Sequence, residues 1–216
     1  MNKQAVLPFA ALVSLCVGVM FGQSSLTDSE VNRAIAQSQG RQGRIGLVLI
    51  DKQTGLLSAM ACPTCAVSGY VIHVYTPEQW IRQMAAHAHS ELLPFTANDV
   101  TPEMRQRMLH VVAMPSTPAY LNGNGFGMAS GVHRIVLTDT TRQTIIQPQV
   151  LGNGTVQTNS ALRSMEYSTA HGAFLMSDVA ALQESDPKQE FFIAVTGDRQ
   201  NKFFRVKQRF FKQLFD

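Results

Sequence analysis

Two cysteines and a set of histidines are the residues of this chain whose types and spacing could carry chemistry. Cys62 and Cys65 are separated by two residues, which is the spacing of a redox or metal-binding pair. A redox-active pair needs a helix N-terminus to stabilise its thiolate, and the residues after Cys65 predict a strand instead. A structural zinc site needs a second pair of ligands, and the one other cysteine, Cys16, lies in the apolar leader. We therefore expect a structural disulfide, with a thiol-disulfide function as the alternative.

Three of the six histidines, His73, His110 and His133, each lie in a predicted strand. If the fold brought them together with an acid such as Asp99 or Asp139, they would form a metal or catalytic site. Histidines that are scattered over strands are more often structural than ligands. We therefore assign no catalytic residue, no metal ligand and no cofactor, and a histidine-based enzyme remains the alternative.

Strands are the main elements that must position these residues. Two amphipathic helices are predicted, one over 27–39 and one that begins at Pro77 with Thr76 as its cap and ends before Pro94. Short apolar runs bounded by turn residues predict the strands. These strands cover 45–50, 56–61, 69–75, 108–114, 132–139, 143–147, 173–176, 190–196 and 203–207. The stretches 116–131 and 149–164 lack periodicity and predict loops, and 177–182 predicts one helical turn.

Repeated hairpins without a strand–helix rhythm predict an α+β fold. It is mainly antiparallel β, a sandwich-like sheet with hairpins, decorated by two or three helices. One domain is expected over residues 23–216.

The beginning of the chain predicts export. Lys3 precedes an apolar run from Ala5 to Phe21, and small polar residues follow it. This is the pattern of a signal peptide over residues 1–22, with cleavage near residues 22–24. An uncleaved membrane anchor is the alternative, and Pro8 and Gly18 weaken it. We expect a periplasmic or secreted protein that meets the membrane only if the leader is retained.

Charge argues against nucleic acid as a partner. The net charge is +3 at pH 7, which is small for 216 residues. Basic and aromatic residues do interleave near the C-terminus, and such a mixture could bind a polyanion. The alternation from Phe204 to Lys207 predicts instead that one face of a strand is buried and the other is solvated.

Several segments of the chain resemble an uncharacterised family of exported bacterial proteins. The similar segments are YTPEQWI (75–81), FTANDVT (95–101), VVAMPSTP (111–118), VHRIVLTD (132–139), EFFIAV (190–195) and FFRVK (203–207). The resemblance covers most of the chain after the leader and implies export and a single unit. No activity is assigned to that family, so the resemblance implies no catalytic residues.

These observations together predict a non-enzymatic, β-rich domain that binds a protein or a component of the cell envelope. Two observations support this prediction. The sequence contains no recognisable catalytic motif, and its predicted loops are long enough to form a contact surface. The sequence does not indicate the oligomeric state.

Overall fold

Two antiparallel sheets form the framework of the computed structural model, which describes residues 25–39, 45–50, 70–115, 132–160, 163–197 and 201–212. The strands are β1 (Leu47–Ile50), β2 (Tyr70–Tyr75), β3 (Met108–Pro115), β4 (Val132–Thr138), β5 (Ile145–Ile146), β6 (Val150–Ser160), β7 (Arg163–Leu175), β8 (Phe191–Gly197) and β9 (Asn201–Val206). The helices are α1 (Asp28–Ser38), α2 (Pro77–Ser90), α3 (Met176–Glu184) and α4 (Gln208–Lys212), and a 3₁₀ turn covers Ala97–Asp99. One sheet has the order β1-β2-β3-β7-β6 and the other has the order β5-β4-β8-β9.

Alternating side chains from both sheets meet in one apolar core. Ile72 and Val111 reach it from the five-stranded sheet, and Leu137 and Ile193 reach it from the four-stranded sheet; all four are fully buried. Helix α3 adds Val179 to the same core. Because successive side chains of a strand point to opposite faces, each sheet also has an outer face that turns away from this core.

Helices α1 and α2 pack together in a second apolar cluster. Val31 and Ile35 of α1 meet Ile81 and Ala85 of α2 there. Both helices begin with a capping box, in which Thr27 pairs with Glu30 and Thr76 pairs with Gln79. The side chain at each cap satisfies backbone N–H groups that would otherwise lack a partner, so the sequence defines where both helices begin.

Two arginines just before β3 join α1 to the five-stranded sheet. Arg107 Nη2 donates to Glu30 Oε1 at 2.8 Å, and Arg105 Nη1 donates to Asp28 Oδ1 at 2.5 Å. The backbone N–H of Leu26 also donates to the carbonyl of Arg105 at 2.8 Å. The start of α1 is therefore held against the segment that leads into β3.

The prediction of a loop over 149–164 is wrong. Strands β6 and β7 pair from Val150 opposite Ala173 to Ser160 opposite Arg163, which makes a long hairpin. The residues of β6 are mostly Gly, Asn, Thr and Gln, so the apolar alternation that indicates a strand is missing there. Backbone pairing, which sequence patterns do not report, defines this strand.

The predicted fold class, α+β with mainly antiparallel strands, is confirmed by the two sheets and their helices. Both predicted helices and the two hairpins at 132–147 and 190–207 occur. The single helical turn predicted over 177–182 is a longer helix, α3, and helix α4 was not predicted. The leader, the Cys62–Cys65 pair, the strand at 56–61 and the loop at 116–131 lie outside the described residues. Within the described segments, no helix has the length and apolarity needed to cross a membrane.

Candidate functional site

Two histidines from different strands form a hydrogen-bonded pair on the outer face of the five-stranded sheet. His110 Nδ1 of β3 lies 3.0 Å from His171 Nε2 of β7. The ring planes are 11° apart and the ring centroids are 5.2 Å apart, so the two rings are nearly coplanar and meet edge to edge. One nitrogen of this contact must carry a proton and donate the hydrogen bond, and the other must accept that hydrogen bond with its lone pair. We call these two residues the histidine dyad.

Trp80 of α2 covers the dyad. Its ring stacks on His110 and on His171 with centroid distances of 4.7 Å and interplanar angles of 10° in both cases. Tyr75 of β2 lies 5.7 Å from the Trp80 ring, and His73 stacks on Tyr75 at 6.1 Å. The result is a continuous group of five rings that joins β2, β3, β7 and α2.

Strand register brings the members of this group to one face. His73, Val112, His171 and Gly152 lie opposite one another on β2, β3, β7 and β6, and Tyr75 and His110 belong to the next row. The dyad is therefore a diagonal pair across β3 and β7, within reach of long side chains. Thr76 and Pro77 start α2 directly after Tyr75, which places Trp80 in the first turn above the sheet.

Burial disfavours the charged form of both imidazoles of the dyad. His110 is only 5% exposed, and its burial, with a smaller contribution from the nearby His171, lowers the pKa of His110 from 6.5 to about 3. Burial also lowers the pKa of the half-buried His171. Among the described residues, His110 Nε2 is buried without a hydrogen-bond partner.

The geometry of the dyad fits a hydrogen bond and does not fit a shared metal ion. The two facing nitrogens lie close to the line that joins the ring centres, whereas two ligands of one metal must aim both lone pairs at the metal. Within the described segments, no group of three or more His, Cys, Asp and Glu side chains is placed to hold a metal ion.

The structure brings together some of the histidines considered from the sequence and separates others. His110 belongs to the dyad, and His73 joins the same face through Tyr75. His133 lies on β4 of the other sheet, next to an irregularity in its register, and is exposed. Sequence reasoning missed His171. The predicted strand over 173–176 begins two residues after His171, whereas the observed β7 covers Arg163–Leu175.

The two candidate acids both stabilise turns. Asp99 accepts from the backbone N–H and the hydroxyl of Thr96 at 2.8 Å, and the backbone hydrogen bond, followed by that of the hydroxyl, lowers the pKa of Asp99. Asp139 accepts from the Thr141 hydroxyl at 2.8 Å and from the Gln143 backbone N–H at 2.9 Å. Each carboxylate organises its own turn rather than a site with the histidines.

A second candidate site lies on the outer face of the four-stranded sheet. The Arg142 guanidinium lies 4.1 Å from the centroid of the Phe203 ring and 5.8 Å from that of Phe192, within cation–π distance of both. The two phenylalanine rings meet edge to face with centroids 6.3 Å apart. Phe203 is 40% exposed and Ile145 on the same face is 55% exposed.

Strand register also places two more arginines on this face. Arg205 lies opposite Phe192, and Arg134 lies on β4 opposite Thr196. Both arginines are exposed, and Arg205 forms an ion pair with Glu190. We call this surface the Arg–Phe face; its residues are Arg134, Val136, Arg142, Ile145, Phe192, Phe203 and Arg205. The predicted alternation near the C-terminus is confirmed, because Phe204 and Val206 are buried while Arg205 and Lys207 are exposed.

Comparison of the chain with protein-family models, with curated proteins and with solved structures finds no match in any of the three.

Proposed function

We propose that this protein is an exported, non-enzymatic binding domain whose Arg–Phe face binds an acidic surface of a partner protein. The observation that carries the proposal is the exposed pair of Arg142 and Phe203, stacked at 4.1 Å on a sheet face that points away from the core. Aromatic residues and arginine are the types that are enriched where proteins bind one another.

The chemistry of the face supports a protein partner with acidic side chains. Its centre is apolar, with Phe192, Phe203 and Ile145, so it offers surface that gains free energy when it is removed from water. Three guanidinium groups lie on the same face. Those of Arg134 and Arg142 can each donate two parallel hydrogen bonds to a partner's carboxylate, while that of Arg205 is paired with Glu190. Arg142 already packs against Phe203, so less side-chain freedom is lost when a partner binds it.

The histidine dyad gives the enzyme alternative less support. A general acid or base works best when its pKa lies near the operating pH. The pKa of His110, at about 3, is far below neutral pH, and its Nε2 atom is buried. His110 is therefore a weak base at neutral pH and suits hydrogen bonding better than proton transfer.

Site-specific photo-cross-linking in cells that export the chain tests this proposal. A photoreactive phenylalanine analogue at position 203 is expected to form a covalent adduct with one acidic protein, identified by mass spectrometry. The same analogue at Leu93, which is 54% exposed and lies outside the Arg–Phe face, is the matched control. No adduct at position 203, or an equal adduct at position 93, would contradict the proposal.

Charge reversal then tests the role of the arginines. With the purified partner, Arg142→Glu is expected to weaken binding by about tenfold or more, since it places like charges against each other. Arg33→Glu makes the same charge change on α1, where Arg33 forms a surface ion pair with Glu78, and it should leave binding unchanged. Equal affinities of the two variants in titration calorimetry would argue against the Arg–Phe face as the binding surface.

A further inference from the structure

The histidine dyad has two ring nitrogens that its internal hydrogen bond does not use, and their surroundings differ. His110 Nε2 is buried and has no hydrogen-bond partner among the described residues. His171 Nδ1 faces Gly152 on β6, where a Cβ atom would lie 4.0 Å from it. Both His171 and Gly152 are half-buried, and among the described strands β6 is one of the two edge strands of its sheet. His171 Nδ1 is thus open toward the sheet edge because residue 152 has no side chain.

The buried nitrogen determines which tautomer the dyad adopts. Two neutral imidazoles in this contact have either both Nδ1 atoms protonated or both Nε2 atoms protonated. The second arrangement would bury an N–H group at His110 Nε2 without an acceptor, and buried N–H groups without a partner are rare. The first arrangement leaves a lone pair there instead. His110 Nδ1–H then donates to His171 Nε2, and His171 Nδ1–H remains as a donor above Gly152.

We propose that His171 Nδ1–H, beside Trp80 and above Gly152, is a binding site for the carboxylate group of a ligand that approaches over the edge strand β6. When one nitrogen of an imidazole is engaged, the N–H on the other nitrogen often donates to a carboxylate or a carbonyl oxygen. In the described part of this chain, no Asp or Glu joins the dyad to form a group of three that could hold a metal. A ligand can supply that carboxylate, and a hydrogen bond to a charged acceptor is stronger than one to a neutral acceptor. This site lies on the other sheet from the Arg–Phe face and does not depend on the function proposed for that face.

The tautomer is the first test. Long-range ¹H–¹⁵N spectra of the histidine rings at pH 7 distinguish a proton on Nδ1 from one on Nε2. We expect Nδ1–H in both His110 and His171. His110→Phe keeps a ring beneath Trp80 but removes the donor to His171 Nε2, so the His171 proton should move to Nε2. Protonation of Nε2 in both rings of the unaltered protein would overturn the proposal.

Acetate is the probe for the carboxylate site, and Trp80 is the reporter because it is the one tryptophan of the chain. Addition of sodium acetate should produce a saturable change in tryptophan fluorescence, and sodium chloride at the same ionic strength should not. Gly152→Ala places a methyl group against His171 Nδ1 and should weaken acetate binding by about tenfold or more, since a charge-assisted hydrogen bond is lost.

Gly154→Ala is the matched control, because it is the same substitution on the same strand and its Cβ would meet Thr169 Oγ1 at 3.2 Å rather than the dyad. It should bind acetate as the unaltered protein does. The proposal fails if acetate gives no saturable response, or if Gly152→Ala and Gly154→Ala respond alike.

Discussion

His110 binds a proton less readily in the folded chain than in the unfolded chain. Its folded pKa is about 3, whereas the unfolded value is 6.5. Between these values the unfolded state holds more protons, so the free energy of unfolding falls as the pH falls from 6.5 toward 3. The contribution of one such group is at most about 1.4 kcal/mol per pH unit.

His110→Phe is therefore expected to flatten the decline of stability between pH 6.5 and about pH 5, a window above the range in which most carboxylates titrate. Urea unfolding at a series of pH values measures this slope. Leu93→Phe, at a position that is 54% exposed, introduces the same ring without removing a histidine; it is the control and should keep the original slope. A slope that is the same in both variants would show that His110 is not the group responsible.

At the scale of single residues, the sequence predicted the strand of His110 but not its partner. His110 and His171 are separated by 61 positions in the chain. Their contact depends on the register that places Val112 opposite His171, and register between distant strands has no local signal. The exposure of Arg205 could be predicted, because it follows from the period of two within one strand.

At the scale of elements, Glu30 has two roles in attaching α1. Its carboxylate accepts from the backbone N–H of Thr27 at 2.8 Å and from Arg107 Nη2 at 2.8 Å. The backbone hydrogen bond, then that of Arg107, lowers the pKa of Glu30 from 4.5 to about 2. Glu30 thus both caps α1 and anchors it to the start of β3.

Glu30→Ala is expected to lower the free energy of unfolding by about 1–3 kcal/mol at pH 7, since it removes a cap and a charge-assisted hydrogen bond. The difference from the unaltered protein should shrink as the pH falls from 4.5 to 2, because a protonated carboxyl loses this advantage. Ser29→Ala, an exposed neighbour in the same turn, should change stability little. A difference that persists undiminished at pH 2 would contradict this role for the charge.

Elements with strong local signals were predictable, and those without them were not. Helices α1 and α2 carry capping boxes and an apolar face, so their positions followed from the sequence. Strand β6 carries Gly152, Gly154 and many polar residues, and only its pairing with β7 makes it a strand. Gly152 weakens the sequence signal of strand β6, and its missing side chain also leaves the open space beside His171.

At the scale of the whole molecule, the exported state of the protein is a prediction from residues outside the described ranges. The intact mass of the protein isolated from the cell envelope should correspond to a chain without its first 22–24 residues. It should also be lower by two hydrogen atoms, because Cys62 and Cys65 are expected to form a disulfide. A retained leader would indicate a membrane-anchored protein, and free thiols would favour the thiol-disulfide alternative.

The five-stranded sheet joins two parts of the chain that are far apart in sequence, strands β1 to β3 and strands β6 to β7. This separation affects the order in which the chain folds. Hairpins β6–β7 and β8–β9 join strands that are close in sequence, so they can form early. The pairing of β3 with β7 must close a much longer loop, and the entropy of closing it makes this step slower. The stack of Trp80 on His110 and His171 requires that pairing. We therefore expect the stack to form late in folding, after β3 has paired with β7.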